Sequence, residues 1–140
     1  MDLHNYKEAY EALDAEMTSF REKTVTLANQ LAEKYMEMAK LIRLVELDKL
    51  EFYLKGKGIS YKRIDRWEEP NTLHQLLINC DGAGWPEWDV ICHKGSYGYT
   101  DGLLEIAGSL VDEEKDGDSV VGYLTAQDVI DRIERKEKES

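Results

Sequence analysis

Tyr6, Tyr10, Leu13, Met17, Phe20, Thr24, Leu27, Leu31, Lys34, Met38, Leu41 and Val45 follow one another in alternating steps of four and three. Ten of these twelve positions are apolar, and only Thr24 and Lys34 interrupt the series. That spacing places them along one side of an α-helix, in the pattern by which helices pair side by side. No glycine precedes Gly56 and no proline precedes Pro70, so nothing in the stretch breaks a helix. A second step of four after Leu31 removes the Lys34 fault, giving Leu31, Tyr35, Met38, Ile42 and Val45. This is a stutter, a local relaxation of supercoil winding. The remaining sides carry Glu8, Glu11, Asp14, Glu16, Glu22, Lys23, Glu33, Lys40 and Arg43. A lone helix has nothing to bury such a seam. Residues 1–46 are therefore read as a helical oligomerisation arm, joining copies through residues 6–45 as a homodimer or higher oligomer, or else folding back as a hairpin. The apolar pattern runs on through Leu47, Leu50 and Leu54 to Lys55-Gly56-Lys57-Gly58, where glycine stops a helix. A helix continuous to residue 55 and one broken near Glu46-Leu47-Asp48 are both compatible with it.

Residues 47–140 read as a separate α+β module. Ile59 to Ile64 is rich in strand formers, Leu73 to Cys80 alternates His74, Leu76, Ile78 and Cys80 on one face, and Trp88 to His93 alternates Trp88, Val90 and Cys92. Asp81-Gly82-Ala83-Gly84 and Trp85-Pro86 make a turn between the last two. Leu103 to Ala107 reads as a short helix stopped near Gly108, Asp112 to Ser119 as an acidic loop, and Val120 to Leu124 as a short strand or extended lead. Thr125 and Asp128 form a capping box that opens a helix to about Lys136, burying Val129 and Ile133. The expected fold is α+β: a long N-terminal helix or coiled coil, then an antiparallel sheet of three or four strands packed by two short helices.

Charge narrows the function classes. The 140 residues carry 18 Lys and Arg against 29 Asp and Glu, a formal net charge of −11. Phosphate contacts need a basic face, so direct binding to duplex nucleic acid is not expected. No apolar run is long enough to span a bilayer, and Met1 to Tyr6 has neither the basic start nor the apolar run of a secretory leader. Two cysteines suit a reducing cytoplasm. The acidity is concentrated in residues 101–140, with five basic and twelve acidic side chains, whereas the first strand holds Lys62, Arg63 and Arg66.

Sites for chemistry are sparse. Cys92 and His93 are neighbours on a strand and point to opposite faces, so they do not pair as nucleophile and base. His74, Cys80, Cys92 and His93 lack the spacing of a zinc site. Asp112, Glu114, Asp116, Gly117 and Asp118 imitate the start of a calcium loop, but Tyr123 stands where its closing glutamate belongs. Neither an enzyme nor a cofactor or metal is expected. The richest segment is His93-Lys94-Gly95-Ser96-Tyr97-Gly98-Tyr99-Thr100-Asp101-Gly102. Its glycines allow close backbone approach, Tyr97 or Tyr99 offers a stacking face, and His93, Lys94 and free N–H groups offer positive potential. Thr100 or Asp101 would cap a helix starting near Gly102. A ligand loop made of Ser96 to Asp101 with Arg63 or Arg66, shared across a subunit boundary, is one reading. A tight turn whose tyrosines cover a sheet edge is the other. Trp85, on the turn, is either packed there or exposed as a contact.

Gly84-Trp85-Pro86-Glu87-Trp88-Asp89-Val90-Ile91-Cys92-His93, the string Gly95-Ser96-Tyr97-Gly98-Tyr99-Thr100-Asp101-Gly102-Leu103-Leu104-Glu105-Ile106 and the stretch Asp118 to Ile130 resemble small proteins encoded by phages and prophages of Gram-positive bacteria. The likeness spans residues 47–136, and the coil precedes it. It carries no catalytic residue. It implies an accessory phage protein in the bacterial cytoplasm, which by analogy counters host defence. The leading expectation is a non-enzymatic binding protein that sequesters a small, cyclic-nucleotide-like signal. The alternatives are an acidic inhibitor that occupies a nucleic-acid enzyme or other host defence protein, and a structural or regulatory phage adaptor whose coil grips a partner helix.

Overall fold

A computed structural model describes residues 3–140, with side chains from residue 5 onward; Met1 and Asp2, read above as part of a leaderless start, lie outside the described residues. The chain divides into two compact units, Met1–Ala39 and Lys40–Ser140. Residues of the first belong to one helix, α1 (Leu3–Arg43), of 41 residues. At 1.5 Å per residue that is about 60 Å of uninterrupted helix. Residues 3–39 hold no turn, so the hairpin alternative is not adopted.

The helix breaks at Leu44, and α2 (Val45–Lys57) follows. Two apolar stripes meet at this point. Leu41 of α1 and Val45, the first residue of α2, continue the exposed seam, while Leu44, Leu47, Leu50 and Leu54 are buried in the second unit. The Leu44 N–H still donates to the Leu41 carbonyl, a tighter turn that lets the side chain enter the core. Gly58 caps α2 with its N–H directed at the Leu54 and Lys55 carbonyls, and the Ile59 N–H closes on Leu54.

Five strands then form an antiparallel meander in chain order: β1 (Tyr61–Arg66), β2 (Leu73–Ile78), β3 (Trp88–Cys92), β4 (Leu104–Gly108) and β5 (Val120–Leu124). This exceeds the three or four strands expected. The difference lies mainly in Leu103 to Ala107, expected as a short helix and found as β4. Leu104 and Ile106 alternate inward between β3 and β5, and pairing on both sides outweighs a local helical preference. The inner face carries Leu76, Ile78, Trp88, Val90, Cys92, Leu104 and Ile106, all buried. It is covered by α2 and by α4 (Ala126–Glu139), which buries Ala126, Val129 and Ile133. The Thr125–Asp128 capping box forms as expected, and Glu46 of α2 accepts the Ala126 N–H at 3.0 Å, tying both covering helices together. A short helix, α3 (Glu113–Asp116), sits inside the acidic loop behind its cap Asp112.

Leu50 is fully buried beneath the sheet. Leu50→Ala should therefore lower the unfolding free energy of the second unit by about 2–5 kcal/mol, read as an earlier urea midpoint. Leu31→Ala, on an exposed position of α1, should leave that midpoint in place.

Candidate functional site

The segment between β3 and β4 is held from within. Ser96 is buried, and its hydroxyl donates to the His93 carbonyl at 2.8 Å while accepting the His93 N–H at 3.1 Å. The Tyr97 N–H donates to Glu105 Oε2 at 2.7 Å. The N–H groups of Ser96, Tyr99, Asp101, Gly102 and Leu103 donate to carbonyls of the same segment. A single 3-10 turn, Tyr99–Asp101, stands where a helix start at Gly102 was expected, with no side-chain cap. Thr100 and Asp101 are exposed and cap nothing, so the N-terminal anion site anticipated there does not form. The physical reason is β4: residues 104–108 bond to neighbouring strands and cannot continue a helix.

Glycine makes this packing possible at two positions. Gly98 has φ +97°, and a Cβ there would stand 2.8 Å from the Leu103 Cβ. A Cβ on Gly122 of β5 would overlap the Tyr97 Cβ. Tyr97 thus crosses directly over β5, where the Tyr123 N–H donates to its carbonyl. Tyr123 has φ +57°, unusual for a residue with a Cβ, and lies beside the irregular register between β4 and β5. The Tyr97 and Tyr123 rings are stacked with centroids 6.4 Å apart, and both are exposed.

The expected site residues therefore separate into groups. His93, Lys94, Ser96, Tyr97, Tyr99, Thr100 and Asp101 share the loop, but only some face outward. His93 Nδ1 donates to the Lys94 carbonyl at 2.9 Å. Tyr99 packs against the core, with the Arg43 guanidinium 5.1 Å from its ring centre. Arg66 ends β1 at the same end of the sheet, two strands from β3 and so about 10 Å away. Arg63 does not join the loop. It stands in the row of Leu76 and Val90 on the helix-covered face and bonds Asp48 at 2.7 Å, Asp65 at 2.9 Å and Glu51 at 3.3 Å. Burial works against its charge, but the Asp48 and Asp65 carboxylates outweigh it and raise its pKa. Three carboxylates leave this cation little for an anionic ligand.

Asp65 continues the network to His74, whose Nδ1 lies 2.6 Å from Asp65 Oδ1 and whose ring makes a T-shaped contact with Trp67, centroids 4.5 Å apart. Burial alone would raise the Asp65 pKa, yet the His74 and Arg63 hydrogen bonds hold it below the usual carboxylate range. Asp65, His74 and Cys92 form one cross-strand row. The buried Cys92 thiol donates to the Arg43 carbonyl at 3.5 Å, and burial pushes its pKa up, which disfavours a thiolate nucleophile. Cys80 is exposed, beyond the end of β2. Among the described residues no three His, Cys, Asp or Glu gather as a metal site. Trp85 is exposed at the tip of a turn in which Asp81 Oδ1 accepts the Ala83 and Trp85 N–H groups.

The acidic segment is not uniform either. Glu113, Glu114 and Asp118 are exposed, whereas Asp116 receives both terminal nitrogens of Arg132 at 2.9 Å. An open cleft of about 570 Å³ lies between α3 and α4 beside this pair. The Arg132 hydrogen bonds, with the Asp112 N–H, lower the Asp116 pKa to about 2. Tyr123 and Gly122 were missed by sequence reasoning because their roles depend on β5 lying against a loop more than twenty residues earlier in the chain, and Glu105 because it was read as part of a helix rather than of β4.

Two outcomes follow from this geometry. Gly122→Ala should lower the unfolding free energy by about 1–3 kcal/mol, read as an earlier urea midpoint, since Tyr97 must move; an unchanged midpoint means the loop is not clamped to β5. Asp116 has a folded pKa below its unfolded value, so its stabilisation is present above about pH 4 and is lost as pH falls toward 2. Asp116→Asn should be less stable than the parent at neutral pH and lose less stability across that window. No helix among the described residues is long and apolar enough to cross a membrane. No family model matches the chain, and neither the curated proteins nor the solved structures contain a significant match.

Proposed function

We propose that this chain is a non-enzymatic, self-associating recognition protein: α1 joins copies, and the α+β unit binds a target. The observation that carries the reading is the state of the α1 seam. Tyr10, Leu13, Met17, Phe20, Leu27, Leu31 and Met38 are each between 48% and 72% exposed in the single chain. Continuous apolar stripes of that length are not left in water by monomeric proteins, and a second helix with the same pattern covers them. In the setting implied by the phage resemblance, the protein works in the cytoplasm of a bacterial host against a defence system.

For the target, the stacked Tyr97 and Tyr123 rings with His93 and Lys94 nearby support a planar, anionic small molecule of the cyclic-nucleotide class. The internally bonded N–H groups of the loop narrow that support to the aromatic faces and side chains. A second reading draws on the exposed Glu113, Glu114 and Asp118: an acidic surface that occupies the basic cleft of a nucleic-acid enzyme. Asp116 does not belong to that surface, because Arg132 neutralises it.

Native mass spectrometry of protein purified from cells that make cyclic nucleotides tests both halves. The expected spectrum shows multiple copies with carried nucleotide. A multimer that carries none and shows no melting shift with added cyclic nucleotide removes the ligand and keeps the association. Met17→Glu with Leu27→Glu should weaken self-association by at least on the order of a hundredfold, because charges enter a dry seam. The acidic reading predicts a salt-sensitive complex abolished by reversing Glu113, Glu114 and Asp118; inhibition that survives the reversal sinks it.

A further inference from the structure

We propose that two copies of α1 pair in parallel and in register, each seam residue meeting its own counterpart. This rests on the self-association proposed above and adds its direction and partner. The seam sets Tyr10, Met17, Thr24 and Leu31 in one row and Leu13, Phe20 and Leu27 in the other. The positions flanking it are Asp14, Arg21 and Ala28 on one side and Glu16, Lys23 and Gln30 on the other. In a parallel pair each residue of the second set meets the residue five later on the partner. Glu16 then lies beside Arg21 of the second copy, an attraction repeated by symmetry, and no like charges meet.

The antiparallel pair of full overlap loses this attraction, because Glu16 and Arg21 lie on opposite sides of the seam and like sides meet in that arrangement. It also sets Thr24 against Leu27 rather than against its own counterpart. Winding decides in the same direction. The stutter at Leu31–Tyr35 relaxes the supercoil locally, and both helices must relax at the same height. Parallel alignment achieves this automatically. Full antiparallel overlap sets the stutter against Met17–Phe20, where the spacing is regular. Sliding the helices until the two stutters meet leaves Tyr6, Tyr10, Leu13, Met17 and Phe20 without partners. All five are exposed in the single chain, so this slide covers only part of the seam.

Thr24, the polar member of its row, is prepared for burial. Its hydroxyl donates to the Phe20 carbonyl of its own helix at 2.8 Å, so it enters the seam with its donor used.

The test reads the dissociation constant of the intact protein by dilution in light scattering or sedimentation. In the parallel pair Glu16→Lys faces Arg21 and weakens association, by on the order of tenfold across the two symmetric contacts. Adding Arg21→Glu restores it. In the antiparallel pair Glu16 and Arg21 never meet, so Arg21→Glu does not restore what Glu16→Lys removes. Oxidation of Leu13→Cys and Met38→Cys chains, mixed and reannealed in a Cys80→Ser background, gives an independent reading. Parallel pairing links each variant to itself, and links between the two overturn the proposal. A parent protein that stays monomeric at tens of micromolar overturns the self-association itself. A dimeric parent in which Arg21→Glu fails to rescue Glu16→Lys, or in which residues 13 and 38 become linked, overturns only the parallel direction.

Discussion

The second unit depends on one packing relation: Leu47, Leu50 and Leu54 of α2 pressed against the inner face of the sheet. These three leucines are fully buried, and the strands they cover supply Leu76, Ile78, Val90, Leu104 and Ile106 at no measurable exposure. Hydrophobic burial on this scale is what offsets the entropy of ordering a unit of this size. It also explains the break at Leu44. A helix that ran straight through would present one continuous stripe, whereas this chain has two, a seam through Leu41 and Val45 and a core face through Leu44 and Leu47. The turn at Leu44 separates a stripe that stays exposed from one that is buried beneath the sheet.

The edges of the sheet are managed by polar means. On β1, Arg63 reaches back to Asp48 and Glu51 of α2 and to Asp65 of its own strand, while Asp65 holds His74 of β2. The charged edge discourages pairing with another sheet, and its charges are matched rather than free. On β5 the protection comes from the 96–98 segment, which crosses the strand at Gly122 and bonds the Tyr123 N–H. The same contact leaves Tyr97 and Tyr123 side by side at the surface. The contact that closes this sheet edge thus also leaves two stacked aromatic rings exposed.

Several parts of this arrangement were legible in the chain. The α1 periodicity, the inward alternation of His74, Leu76 and Ile78, that of Trp88, Val90 and Cys92, and the Thr125–Asp128 box are local patterns, set within a few residues of one another. Leu103 to Ala107 was not legible as a strand, because five apolar and acidic residues fit a helix turn as readily as a half-buried strand. Arg63 was expected beside the loop because it belongs to the small basic group of the first strand in an otherwise acidic chain; three acids from α2 and β1 surround it instead.

The sequence by itself determined the amphipathic helix, the strand alternation and the Thr125–Asp128 cap, since side-chain periodicity and short-range hydrogen bonding act within one element. Only the tertiary structure decided that β4 is a strand, that Arg63 is committed to carboxylates, that Asp116 is neutralised by Arg132, and that Tyr97 meets Tyr123. Each of these joins residues from different elements, and their free energy exists only once the strands and helices have been brought together.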